Sequence, residues 1–134
     1  MSAAKDVKTD RKYTKDHEWA LSEGAEVVVG ITAFAVDQLG DITLVNLDVK
    51  PGDSVTAHKA FGTIESVKTL SDLFAPVSGK VTRVNTALVD QPELVNDDCW
   101  SKGWMVAIEP SNPGELAELL DVGAYQKHVE ESAH

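Results

Sequence analysis

The sequence predicts a small, mainly β fold, a sandwich or flattened barrel, with one short helix near residues 32–40 and helices at the C-terminal end. Three observations carry this. Short β-branched runs recur, as in Glu26-Val27-Val28-Val29-Gly30 and Lys80-Val81-Thr82-Arg83-Val84. Turn signals such as Pro51-Gly52-Asp53 and Ala75-Pro76-Val77-Ser78-Gly79 interrupt them at short intervals. Helix signals are confined to the stretch from Thr32 to Gly40 and to the chain after Asn112-Pro113.

Element by element, residues 1–12 read as a flexible tail and residues 13–134 as a single domain. Tyr13 to Trp19 opens the fold as a strand, and Glu26 to Gly30 is a buried strand bounded by glycines. Thr32 is placed to cap a helix over Ala33 to Leu39, with Phe34, Val36 and Leu39 as its contacts and Gly40 as a left-handed C-terminal cap. Ile42 to Val49 alternates as a strand, and Ser54 to Thr56 is strand-like. Phe61 to Val67 is a strand that reaches Lys68, and Thr69 to Phe74 leads back out. The proline after Ala75 breaks the ladder, because it donates no hydrogen bond. Lys80 to Val84 is a half-exposed strand.

Asp90 to Gly103 reads as a loop, and Trp104 to Ile108 as a short apolar strand. Asn112 and Pro113 open a helix with Leu116, Leu119 and Leu120 as its apolar face. A last helix covers Ala124 to Glu131, followed by a frayed acidic end. A short echo, Gly52-Asp53-Ser54-Val55 against Gly79-Lys80-Val81, hints at two similar halves joined through the Lys68 turn.

Composition narrows the function. The 134 residues carry a formal net charge of −10, which argues against nucleic acid and favours partners with basic patches. Cys99 is the single cysteine, so neither an internal disulfide nor a cysteine zinc site can form. No apolar run is long enough to span a bilayer, and the polar start resembles neither a secretory signal nor a mitochondrial presequence. The expected location is the cytoplasm, with a mature mitochondrial form as the alternative.

Enzyme constellations are lacking. His17, His58, His128 and His134 show no metal-ligand spacing. His17 beside Glu18 offers acid–base chemistry in principle but reads as a surface pair. Cys99 has no local activator and reads as a buried or inert thiol. Lys68 sits at a strand turn, with Ile64, Val67 and Leu70 as candidate anchors of the hairpin. A turn projects a side chain from a rigid sheet and presents it to partners. By pattern alone such a lysine is a solvated charge.

The wider context changes that reading. Glu65-Ser66-Val67-Lys68-Thr69-Leu70-Ser71-Asp72-Leu73, followed by Ala75-Pro76-Val77-Ser78-Gly79, resembles the lipoylation segment of the glycine cleavage system H proteins. His17-Glu18-Trp19 is similar to that family's opening signature. Val29-Gly30-Ile31-Thr32 and Leu39-Gly40-Asp41-Ile42 are similar to the segment around its first helix. Val84-Asn85, Pro92-Glu93-Leu94-Val95-Asn96 and Gly103-Trp104 follow as its later landmarks. One departure stands out: where the family commonly has Asp-Pro-Tyr, this chain has Asp98-Cys99-Trp100.

The resemblance implies a barrel–sandwich hybrid of two small sheets and a lipoate joined by an amide to Lys68, which would move the formal charge from −10 to −11. It implies a non-catalytic carrier rather than an enzyme. Its partners would be a pyridoxal-phosphate glycine decarboxylase, a tetrahydrofolate-dependent aminomethyltransferase, an FAD-dependent dihydrolipoamide dehydrogenase and the lipoylating enzymes. Glu65 and Gly79 fall where the family is recognised for modification. Donation of lipoyl groups to other acceptors is a secondary role open to the family. A lipoyl domain of a 2-oxoacid dehydrogenase complex is the rival, though Ala/Pro-rich linkers are lacking. Val67 and Thr69, in place of methionines, disfavour a biotinyl carrier.

Overall fold

A computed structural model describes residues 7–132 of the chain. Strands β1 (Lys12–Tyr13), β2 (Glu18–Glu23) and β3 (Glu26–Ile31) lead to helix α1 (Ala33–Leu39). Strands β4 (Ile42–Leu47), β5 (Ser54–Val55), β6 (Ala60–Ser66), β7 (Leu70–Phe74) and β8 (Gly79–Val84) follow. Single-turn helices α2 (Ala87–Asp90) and α3 (Leu94–Asp97) precede strand β9 (Val106–Pro110), and α4 (Gly114–Ala117) and α5 (Val122–Ser132) close the chain. No helix among the described residues is long and apolar enough to cross a membrane.

Two antiparallel sheets share one core, the barrel–sandwich hybrid expected from the resemblance. The larger runs β1-β2-β3-β9-β8-β5 and the smaller β4-β6-β7. Val29 pairs with Val106 and Val27 with Ile108, and these residues are fully buried. The smaller sheet sends Val45, Ile64 and Leu73 to the same core. Each such side chain contributes roughly 1.5–3 kcal/mol by leaving water. The echoed segments meet directly, since Ser54 pairs with Lys80 and Val55 with Gly79.

Several boundaries differ from the sequence reading. Tyr13 to Trp19 is two strands, with Tyr13 opposite Trp19 and a tight turn between them. Thr14 makes that turn: its amide donates to the Glu18 carbonyl at 2.9 Å, and its hydroxyl accepts from the amides of Asp16 and Glu18. His17 pays for it with a φ of +69°, a sparsely populated region for a residue with a Cβ. The expected loop after Asp90 contains α3, and α2 precedes it, because Leu88 and Val95 are driven fully into the core. Four-residue helices leave no periodic pattern to read.

Gly40 does end α1, at φ +78° and ψ −146°, outside the left-handed helical well but in a region that glycine alone enters freely. Asn112 caps through its side chain, accepting from Gly114, so α4 starts one residue later than expected. Leu120 leaves the helix and exchanges two 2.8 Å backbone hydrogen bonds with Tyr13. Of the expected tail, residues 1–6 lie outside the described residues, as do 133–134 of the acidic end. Lys12 already belongs to β1, and the Lys8 amide donates to the Tyr13 hydroxyl at 2.8 Å.

Gly79 lies where β8 crosses β9. Its φ is not positive; a Cβ there would overlap the carbonyl oxygen of Glu109 and press on Ile108 at 2.8 Å. Backbone cannot give way as a flexible side chain does. Gly79→Ala is therefore expected to destabilise the fold by about 2 kcal/mol or more, read as a lower urea midpoint at unchanged slope.

Candidate functional site

Lys68 stands at the exposed tip of the β6–β7 hairpin. The last registered pair below it is Glu65 with Leu70. Ser66 closes the turn: its amide donates to the Thr69 carbonyl at 2.8 Å, and its hydroxyl accepts from the amides of Lys68 and Thr69, each at 3.2 Å. The Val67 amide donates to the Asp41 carbonyl at 3.0 Å, which ties the turn to the end of α1. The lysine stem runs over Gly40, its Cε 3.5 Å from where a Cβ would stand. Its ammonium has no ion-pair partner among the described residues. The amine is thus held at its base and accessible at its end.

Only Ile64 of the three expected anchors is buried. Val67 and Leu70, on either side of the lysine, are 67% and 60% exposed, and Leu44 on β4 is exposed as well. Glu65 lies between Leu44 and Leu70 in the same cross-strand row, three residues from Lys68. Gly79 lies on the other sheet, where close strand packing accounts for it.

Beside the hairpin, a cleft of about 140 Å³ opens between β2, α1 and β7. Ile31, Ala35, Leu39 and Ile64 form its apolar wall, and Asp16, Glu18 and Asp72 bring carboxyl groups. The expected surface pair of His17 and Glu18 is not one. Glu18 is 2% exposed, its Oε1 2.7 Å from the Thr14 hydroxyl and its Oε2 accepting from the Phe74 amide at 3.3 Å. Burial outweighs both contacts and raises its pKa to about 8. His17 Nδ1 is 2.8 Å from the Tyr125 hydroxyl, which is 2.6 Å from Thr32 Oγ1. Burial, then the neighbouring His128, lowers the His17 pKa to about 4. Burial likewise pushes the Tyr125 hydroxyl upward.

These partners were hidden from a linear reading. Glu18 becomes buried only because β2 sits under the end of β7, and Tyr125 arrives from α5. Cys99 is buried, as expected, with its carbonyl accepting from the Trp19 indole at 3.0 Å. Arg11 packs on the departing loop: its guanidinium lies 4.6 Å from the Trp19 ring and 5.5 Å from that of Trp100, and donates to the Trp100 carbonyl at 3.0 Å, while the Trp100 indole N–H is buried without a hydrogen-bond partner among the described residues.

The family model for the glycine cleavage H-protein matches residues 11–132, a span that includes the hairpin, the cleft and α5. The chain belongs to the glycine cleavage H-protein family. A glycine cleavage system H protein of Anaeromyxobacter sp. (strain K) is 50% identical over 127 residues, covering 94% of this chain and 98% of the relative. One from Thermus thermophilus is 49% identical over 128 residues, covering 96% and 99%. The crystal structure of a glycine cleavage system H protein from Mycobacterium marinum superimposes with a TM-score of 0.81 at 38% identity, over 96% of this chain and all of that one.

The buried carboxyl sets a pH dependence. Folded Glu18 keeps its proton up to about pH 8, whereas an unfolded glutamate loses it near 4.5, so the unfolded state binds fewer protons in between. Stability therefore falls as pH rises, by at most about 1.4 kcal/mol per unit. His17 opposes this between about pH 4 and 6.5, where only the unfolded state is protonated. Above pH 6.5 the Glu18 slope stands alone, up to about 8. Urea midpoints measured across that window should decline in the parent chain and flatten in Glu18→Gln.

Proposed function

We propose that the chain is the lipoyl-bearing carrier of the glycine cleavage system, with lipoate in amide linkage to Lys68 Nζ. The observation that carries this is the turn itself: an accessible amine on a hairpin clamped at Ser66 and Val67, beside a cleft lined with carboxyl groups. The residues fit the group. Among the described residues the Lys68 tip is exposed, and its stem lies over Gly40 at the end of α1, whose Gln38 and Leu39 form part of the cleft wall. When bound, lipoate would supply a strained disulfide, one sulfur of which takes the aminomethyl group as the S–S bond breaks while the other becomes a thiol; the dithiol is left only once that group has been passed on.

The chain's own residues position and shield. Lys68 fixes one end of the arm. Ser71 and Asp72, three and four residues farther along the hairpin, bring the cleft within about 13 Å of the turn along the strand. Asp16, Glu18 and Asp72 offer acceptors to an ammonium-bearing end, while Ile31, Leu39 and Ile64 keep water from it. Glu18, poised near pH 8, can release its proton when a cation enters beside it. Shielding suits a carrier, because an aminomethyl thioether is open to hydrolysis between partners.

The partners in this reading are a pyridoxal-phosphate glycine decarboxylase, a tetrahydrofolate-dependent aminomethyltransferase and an FAD-dependent dihydrolipoamide dehydrogenase. The net charge of −10 favours basic patches on them, with complexes that weaken as salt rises. Lipoylating enzymes would recognise Glu65 at the base of the tip; Gly79 would serve them indirectly, by holding β8 against β9. The carrier itself performs no catalysis. Its close relatives are bacterial, which favours the cytoplasm.

After expression in a lipoylating host, intact mass and peptide mapping should show one lipoyl increment on Lys68, absent from Lys68→Arg. An unmodified parent chain under those conditions would overturn the assignment. Loss of the aminomethyl load should be roughly tenfold slower on the folded than on the denatured protein, the worth of one charge-assisted hydrogen bond. Glu18→Gln should narrow that gap, and equal rates in the parent chain would rule out shielding.

A further inference from the structure

We infer that Asn96 is a positioning residue for the Lys68 turn, because its carboxamide fixes the backbone corner on which that turn is hung. The inference rests on Lys68 being the attachment point. Asn96 lies in α3, outside both the hairpin and the cleft. Its Nδ2 donates to the Gly40 carbonyl at 3.0 Å, and its Oδ1 accepts from the Ile42 amide at 2.9 Å. These two groups flank Asp41, whose carbonyl accepts from the Val67 amide at 3.0 Å. An unbroken path thus runs from the α3 side chain through the corner to the residue preceding Lys68.

The corner needs such support. Gly40 ends α1, and the last carbonyls of a helix have no partner within it. Beyond it the β4–β6 ladder is irregular, its register shifting between Ile42 and Leu44. The register pair next to the corner, Ile42 with Ser66, is thus separated from the regular part of the ladder. A carboxamide is the group that answers both needs, since its two ends meet one carbonyl and one N–H. Aspartate can accept from Ile42 but cannot donate to Gly40, and alanine does neither. Asn96 is a firm support because Val95 beside it is fully buried in the core.

The same corner carries the surface under the lysine. Gly40 lies 3.5 Å from the stem at Cε, measured from its missing Cβ position, and Leu39 is part of the cleft wall. Movement of the corner would therefore shift the turn and the surface beneath the arm together. Displacements near 1 Å at a reacting group cost up to about a hundredfold in rate.

The test is in vitro lipoylation with a purified lipoate ligase, run well below the unfolding temperature, on the parent chain, Asn96→Ala and Asn96→Asp. Thr82→Val serves as a control, since it removes hydroxyl contacts to the Glu26 carboxylate and the Ala107 carbonyl, both in the larger sheet and away from the hairpin. Both Asn96 variants should lower kcat roughly tenfold with little change in KM. The Val67 amide should exchange with solvent faster in both, while the Val106 amide in β9 stays protected and shows the core intact. A fall in kcat no larger than that of Thr82→Val overturns the inference, whatever the Val67 amide does. If the parent chain itself is not modified on Lys68, the attachment reading fails instead.

Discussion

Pairing of β3 with β9 is the constraint on which the rest of the structure depends. It joins the first quarter of the chain to the last, with Val27 opposite Ile108 and Val29 opposite Val106. Through it, β2 is held on one side and β8 on the other, and the larger sheet becomes one surface. All four residues are fully buried, so the pairing runs through the core. The smaller sheet has no comparable long-range strand pairing of its own. It is the β6–β7 hairpin with β4 added at its edge, and it gains stability by laying Val45, Ile64 and Leu73 on that surface.

This division has a functional sense. A local hairpin can end in an exposed turn without disturbing the core, whereas a strand of the larger sheet cannot. Lys68 extends from the local part, and rigid neighbours grip it from below through backbone bonds at Ser66 and Val67. Val67 and Leu70 on either side of it, and Leu44 on β4, are left uncovered. A carrier must be seen by several partners in turn, and a surface exposed around a fixed point meets that need at small cost to stability.

The cleft works by the opposite means. Glu18 and His17 are neighbours in sequence, yet burial pushes their pKa values apart, to about 8 and about 4. Both shifts favour the neutral form, because desolvation penalises charge of either sign. The site therefore keeps an acid that is uncharged at neutral pH beside an apolar wall. The Tyr125 hydroxyl completes the arrangement from α5, contacting both His17 and the Thr32 cap of α1. The C-terminal helix is thereby tied to the far side of the cleft.

Local signals were legible where one residue decides the outcome. Thr32 caps α1 through its own hydroxyl, Gly40 adopts a positive φ, and Pro51-Gly52 turns the chain, each visible in the linear order. The turn at Lys68 was also legible, from the strand-like stretches on either side of it. What stayed hidden was decided by tertiary burial. Leu88 and Val95 make helices of a segment with no helical period, and Glu18 changes from a surface acid to a buried one. Asn96 reads in sequence as one letter of a landmark, and only the fold brings its carboxamide to Gly40 and Ile42. The sequence by itself determined where the chain turns and where its first helix is capped, because those depend on neighbouring residues. The tertiary structure alone decided which groups lose water and which distant backbone atoms meet, because desolvation and contact are properties of the packed whole.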